Sequence, residues 1–214
     1  EISRLTTARP DVVFSNLWGA DLENFVRQAQ PRGLFTSSQV ILALGETVLQ
    51  RVPLPEGVIV GVLGDGWWMS PDAEANPETK KFAESYKAKF GEYPVFPSMK
   101  MANSILYVKA AYESAMKKNG GKWPSRAEIA EAMKGSTVTT LTGKTQTRPD
   151  NDGVVDQIVG VTVKSPTQSF PVIGDMVRYK GDMLMPKEGQ DPIAWISTLK
   201  PEFAASLPKP GSYK

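Results

Sequence analysis

Arg9–Gly33 reads RPDVVFSNLWGADLENFVRQAQPRG, and its two halves have different periods. Asp11–Ser15 (DVVFS) is a short apolar run with β-branched residues just after Pro10, the pattern of a buried parallel strand. Asn16–Asp21 is a loop containing a glycine. Leu22, Phe25, Val26 and Ala29 then recur at helical spacing, and Pro31 and Gly33 stop the helix. Moving outward, Gln39–Leu44 (QVILAL) predicts a second buried strand and Gly45–Arg51 a short helix closed by Pro53 and Pro55. Val58–Leu63 (VIVGVL) predicts a third strand. This β-α-β-α-β alternation predicts an α/β sandwich with a parallel sheet.

Helices are expected to follow. Asn76 is a cap with Pro77 in the first turn, and Phe82, Tyr86 and Phe90 form the apolar stripe of a helix that Gly91 ends. A longer helix after Ser98 carries Met101, Ile105, Val108, Tyr112 and Ala115 on one face and stops at Gly120-Gly121. Ser125-Arg126-Ala127-Glu128 is a capping box for a third helix through Met133. Val154–Val163 and Phe170–Val177 read as strands. Beyond Gly181 the proline-rich chain is expected to run extended over a surface. Only three buried strands precede the helical block, where a doubly wound sheet carries about five or six. Either another segment completes the sheet, or the count of three strands is short.

The chain has 214 residues, with 25 Lys and Arg against 23 Asp and Glu, a net charge of +2. Such a balance gives no pull toward nucleic acid or an anionic membrane. Cysteine and histidine are both absent. Disulfides, thiol nucleophiles, Cys-ligated zinc and His-based catalysis are therefore excluded. Composition favours binding over chemistry, with no catalytic residue, metal or cofactor expected, and it leaves the compartment open. No apolar run approaches the roughly 18–20 residues of a membrane span. Glu1 opens inside a polar, helix-like stretch, as a mature or cut-down form would.

Two glycine motifs fail on spacing. Asp150-Asn151-Asp152-Gly153 resembles the start of a calcium loop, but counting from Gly153 puts Arg148 at position one and Val159 at position twelve, where carboxylates are needed. It reads as a tight turn. Gly61–Gly66 (GVLGDG) lacks the third glycine of a dinucleotide fingerprint, since Met69 takes that place, and it reads as a connection. Lys80, Lys81, Lys87 and Lys89 read as a solvated helix face.

The tryptophans say more. Trp18, Trp67 and Trp68 fall in loops just after predicted strands. In open α/β sheets ligands bind outside the carboxyl ends of the strands, where aromatic rings supply contact of defined geometry. Each ring could equally pack under its loop. Glu46 holds the equivalent place after the second strand. There a carboxylate either receives an ammonium or caps a helix.

Arg9–Gly33 also resembles a family signature: a Pro-Asp strand, a Gly-x-Asp loop and a Phe-x-x-Gln-Ala helix. Pro55-Glu56-Gly57-Val58, followed by Phe82–Pro94 (FAESYKAKFGEYP), is similar to a second signature of the same family. An Ala-rich helix from Tyr107 to Ala115, Leu141-Thr142-Gly143 and the strand from Val154 continue the match, which covers about residues 5–180. The family is the type I periplasmic solute-binding proteins of ABC importers, of the branched-chain amino acid kind.

The resemblance implies Rossmann-like αβα lobes with parallel sheets, joined by crossovers, and an N-terminal half with no counterpart here. It assigns residues 1–56 and 154–214 to lobe two and residues 57–153 to part of lobe one, entered through a crossover near residues 57–66. It implies ligand contacts from Trp18 and Gly19, an acidic partner for an ammonium at Glu46, and apolar contacts from Phe96 and Met99. Trp67 and Trp68 depart from the family pattern and suggest a bulkier or more aromatic ligand. The implied function is non-enzymatic capture of a small molecule (an amino acid, amide or aromatic carboxylate) by hinge closure. The implied setting is the periplasm, or the cell exterior as a membrane-anchored lipoprotein, with an ABC permease and the missing half as partners and no role for nucleic acid. A sensor domain of a receptor or regulator with the same fold is the rival expectation, and an enzyme built on carboxylates is the third.

Overall fold

The computed structural model describes residues 1–213. The chain opens with helix α1 (Ile2–Ala8), strand β1 (Val12–Ser15), helix α2 (Gly19–Ala29), one turn of helix α3 (Leu34–Ser37) and strand β2 (Gln39–Leu42). A 3-10 turn, Gly45–Val48, stands where the sequence predicts a short helix, and strand β3 (Ile59–Val62) follows. The next segment is helical: α4 (Pro71–Glu74), α5 (Pro77–Phe90), α6 (Phe96–Lys118) and α7 (Arg126–Met133). A small sheet of β4 (Thr137–Thr140), β5 (Gly143–Thr147) and β6 (Gly153–Val154) comes next. Strands β7 (Gln157–Val163) and β8 (Val172–Tyr179) lead to the short helices α8 (Pro192–Ser197) and α9 (Pro201–Ser206).

The main sheet has the order β1-β2-β3-β7-β8. The first three strands are parallel, as the alternation predicts, but β7 runs antiparallel to β3, and β8 antiparallel to β7. The stretch expected as one strand, Val154–Val163, is divided. Gly153–Val154 pairs with β5 in the small sheet and Gln157–Val163 pairs with β3 in the main one. The Thr-rich strands β4 and β5 were not expected. They are half exposed, so they lack the apolar run that marks a buried strand.

One face of the main sheet is a dry core. Val13, Val40, Leu42, Val60 and Ile158 pack with Leu22, Val26, Leu34 and Val48, all below 8% exposed. The opposite face is bare: Val12 and Phe14 are 52% and 68% exposed. Beside them Ile41, Ile59 and Val159 line an apolar hollow of about 430 Å³.

Two helices turn a different face inward from the one their apolar residues predict. On α5 the buried residues are Thr79 and Ala83, while the half-buried Phe82 and Tyr86 and the exposed Phe90 meet in tilted ring contacts, with centroids 6.1 and 4.5 Å apart. Small side chains let α5 approach the turn after β4, where the Thr79 hydroxyl donates to the Leu141 carbonyl. On α6 the buried stripe is Met99, Asn103, Tyr107, Ala111 and Ala115, and Met101 and Ile105 are more than 60% exposed. Asn103 and Tyr107 tolerate burial because they are satisfied. Asn103 Nδ2 donates to Thr142 Oγ1 at 2.7 Å, its Oδ1 accepts from Leu141 N–H at 3.1 Å, and the Tyr107 hydroxyl donates to the Met133 carbonyl at 3.0 Å.

The cap readings match: the Asn76 side chain accepts from Glu78 N–H, and Ser125 and Glu128 close a full capping box. The calcium-like stretch is a turn, with Asn151 at φ 72° and Arg148 bound to Asp150 and Asp152. The tail is anchored rather than simply extended. Gly211 and Tyr213 donate backbone hydrogen bonds to Asp175 and Met176 on β8.

Candidate functional site

Glu46 lies on the 3-10 turn that follows β2. Gly45 lets this turn sit directly on β3, since a Cβ at that position would come within 2.5 Å of Val60 Cγ1. The Glu46 side chain is thereby driven inward and is 1% exposed. Its Oε2 accepts from the N–H of Phe96 at 3.2 Å, and Phe96 is the first residue of α6. Its Oε1 has no partner. Burial pushes the Glu46 carboxyl up to about 8, against the opposing pull of the Phe96 N–H. Through this hydrogen bond one carboxyl oxygen of Glu46 caps the start of α6.

The chain after β3 comes to the same place. A Cβ on Gly66 would lie 3.1 Å from Phe96 Cα, so the glycine lets this loop press on the start of α6. Trp67 is 1% exposed and packs in the main apolar cluster together with Phe96 and Val48. Trp68 is half-buried, tilts against Trp67 at 5.9 Å and stacks on Tyr93 at 4.0 Å between ring centroids. The indole N–H groups of Trp67 and Trp68 are buried without partners. Tyr93 also meets the Phe170 ring at 6.3 Å and the Lys87 ammonium at 4.2 Å.

Glu46, Trp67, Trp68 and Phe96 thus converge at one junction between the turn after β2, the loop after β3 and the first turn of α6. Met99 follows one turn along α6, fully buried and outside the main apolar cluster. Trp18 stands apart. It is the N-cap residue of α2 at the carboxyl end of β1 and is 65% exposed, next to Gly19 at φ 55°. Tyr93 and Phe170 were not singled out from the sequence. Tyr93 lies within the quoted FAESYKAKFGEYP signature, whereas Phe170, read from the sequence as the start of a strand, sits in the loop before β8, which begins at Val172.

Other polar groups collect beside the loop after β3. Arg178 on β8 joins Asp72 and Asp156, the latter at 2.5 Å, and its guanidinium lies 5.3 Å from the Tyr213 ring. Asp65 is 4% exposed. Burial raises its carboxyl, and Arg178, Thr142 and Lys100 pull it partly back. A hollow of about 700 Å³ lined by Asp72, Thr139, Lys144, Asp156 and Arg178 contains none of the candidate residues. Among the described residues, no group of three or more His, Cys, Asp or Glu could hold a metal ion, and no helix is long and apolar enough to cross a membrane.

A sequence model of the family described as periplasmic binding protein matches residues 1–167. Among solved structures, an ABC-transporter solute-binding protein from Rhodopseudomonas palustris BisB5, in complex with 3,4-dihydroxybenzoic acid, is 23% identical with a TM-score of 0.63, covering 84% of this chain and 48% of its own. A second, from R. palustris HaA2 in complex with p-hydroxybenzoic acid, is 15% identical with a TM-score of 0.64, covering 87% and 50%. A leucine-, isoleucine-, valine-, threonine- and alanine-binding protein from Brucella ovis, in a closed conformation, is 22% identical with a TM-score of 0.57, covering 90% and 47%. Likeness at these identities concerns the fold alone. The chain spans about half the length of these structures. No curated protein matches the chain by sequence.

Proposed function

Because this chain belongs to the periplasmic binding protein family, a family of binders rather than enzymes, we propose that it is the second part of a two-lobed, extracytoplasmic solute-binding component of an ABC importer. Residues 1–56 and 154–214 form lobe two in this reading. Residues 57–153 form part of lobe one, and the remainder of a longer polypeptide completes it. The bare apolar surfaces support this. Val12 and Phe14 on the sheet, and Met101, Ile105 and Val108 on α6, are at least 41% exposed, two separate sets of bare apolar side chains that a further part of the polypeptide would cover. A solute bridging the lobes shifts the open–closed equilibrium toward closed, and an ABC permease senses the closed form.

The ligand class follows from what surrounds Glu46. A carboxyl that caps α6 and is pushed up to about 8 is protonated at neutral pH, so it neither demands an ammonium nor repels an anion. Trp68, half-buried and stacked on Tyr93, supplies aromatic surface over the buried Trp67 and Phe96, and two indole N–H donors lack partners. This aromatic cluster around a neutral acid favours an aromatic carboxylic acid, the ligand type held by the two R. palustris relatives. The unpartnered Oε1 of Glu46 favours the second reading, an amino acid whose ammonium it accepts, as the B. ovis relative's name suggests for that protein.

The test is a thermal-shift and calorimetric screen of the full-length polypeptide with 4-hydroxybenzoate, benzoate, L-leucine and L-phenylalanine. A true ligand at about a hundredfold over its Kd stabilises by about 2.7 kcal/mol. The aromatic acids are expected to do so and the amino acids not. Stabilisation by amino acids alone overturns the aromatic reading, and micromolar binding by residues 1–214 alone overturns the split site. Trp18→Ala is expected to weaken binding by about 1–3 kcal/mol. Its unfolding free energy should stay within about 0.5 kcal/mol of the parent's, as for an exposed position. Unchanged affinity with a lowered midpoint would make Trp18 a structural residue only.

A further inference from the structure

Trp123, in the turn between α6 and α7, is 77% exposed. The turn that carries it is well defined. Gly120 and Gly121 take φ 73° and 85°, the Gly121 N–H donates to the Met116 carbonyl at 2.8 Å, and Pro124 is buried. The indole meets the Tyr112 ring of α6 at 5.2 Å between centroids, which holds it in place while most of it faces solvent. Cations flank it in sequence. From Lys117 to Arg126 four side chains are cationic and none is anionic, so the overall charge of +2 hides a local excess. Lys117, Lys118, Lys122 and Arg126 are all exposed. The neighbouring acids are engaged elsewhere: Glu113 with Lys109 at 2.5 Å, Glu131 with Lys134 at 3.4 Å, and Glu128 in its capping box with Ser125. Lys117 and Lys118 suit the C-terminal end of α6. Lys122 lies beyond that helix, and Arg126 sits in the first turn of α7, where a cation opposes the helix dipole.

We propose that this tip docks on an anionic phospholipid surface, with Trp123 entering the headgroup layer and the four cations lying over lipid phosphates. An indole has an apolar body and one N–H donor, the composition that settles at a membrane–water interface. Clustered Lys and Arg beside it are drawn to an anionic surface. Another part of the polypeptide is a poor cover for this tip, because burying four cations without partners costs more than burying one ring returns. One ring and four charges give a reversible association, not an anchor. Under the importer reading, such contact concentrates the protein beside the permease. The lipid contact itself does not depend on that reading.

The test is co-sedimentation of the full-length polypeptide, prepared without lipid modification, with vesicles of phosphatidylcholine alone or with about one-third phosphatidylglycerol. Binding is expected only with phosphatidylglycerol. It should vanish as salt rises from about 0.05 to about 0.5 M, where the screening length falls below about 5 Å. Each Lys or Arg near such a surface contributes about fivefold to partitioning, so the double variant Lys122→Ala/Arg126→Ala should bind about twentyfold more weakly. Its thermal unfolding should match the parent's, since both positions are exposed. Trp123→Ala should weaken binding with an unchanged salt dependence. The parent's tryptophan emission should shift to the blue on binding, and that of Trp123→Phe should shift less. Equal binding to neutral vesicles overturns the proposal, as does full binding by the double variant or by Trp123→Ala. Absence of vesicle binding also overturns it, and capture by polyglutamate in that case makes an acidic protein surface the partner of the cations.

Discussion

Glu46→Gln is expected to flatten the pH dependence of stability and to make the protein more stable than its parent at pH 8 and above. The folded carboxyl titrates at about 8, against 4.5 for an ordinary glutamate. Between those values the folded state keeps a proton that the unfolded state releases. The contribution of Glu46 is therefore fully present below pH 4.5 and is lost as pH rises through 8. At about 1.4 kcal/mol per pH unit, the loss across that window reaches at most about 5 kcal/mol. A glutamine copies the neutral acid, and its Oε1 can still accept the Phe96 N–H. Urea unfolding of parent and variant from pH 4 to pH 9 measures the effect. Curves that converge near pH 4 and part toward pH 9 are expected. Parallel curves would mean that Glu46 titrates normally and does not sit dry against α6.

Trp67→Ala is expected to cost about 3–5 kcal/mol of stability, the range for emptying a large buried aromatic site. The indole is 1% exposed within the main apolar cluster. Trp67→Phe should cost much less, because it keeps a ring there and removes an indole N–H that has no partner. Chemical denaturation of the two variants separates packing from recognition. If Trp67→Ala instead leaves the unfolding midpoint unchanged, the ring contributes little to the core.

The parts of the fold legible in the sequence are those governed by neighbours along the chain. DVVFS and QVILAL predict β1 and β2 to within two residues, Asn76 and Ser125 mark helix starts, and Gly91 marks a stop. The faces of α5 and α6 were not legible. Apolarity selects Phe82 and Tyr86, or Met101 and Ile105, whereas burial went to Thr79, Ala83, Asn103 and Tyr107. Those polar residues find partners only once Leu141, Thr142 and Met133 are beside them.

The candidate site divides the same way. The sequence by itself determined that Trp18, Glu46 and Trp67 stand just beyond strand ends, because β-branched runs and the residues that break them are local features. It determined the absence of thiol and imidazole chemistry outright. Only the tertiary structure decided that Trp18 faces solvent while Trp67 joins the core, since exposure depends on which surfaces meet. Only it decided that Glu46 accepts the N–H of Phe96, fifty residues away. A carboxylate at a strand end has the same local sequence whether it meets water, an ammonium or a helix. Its charge state is set by the dry contact with α6, which arises only when the two segments pack together.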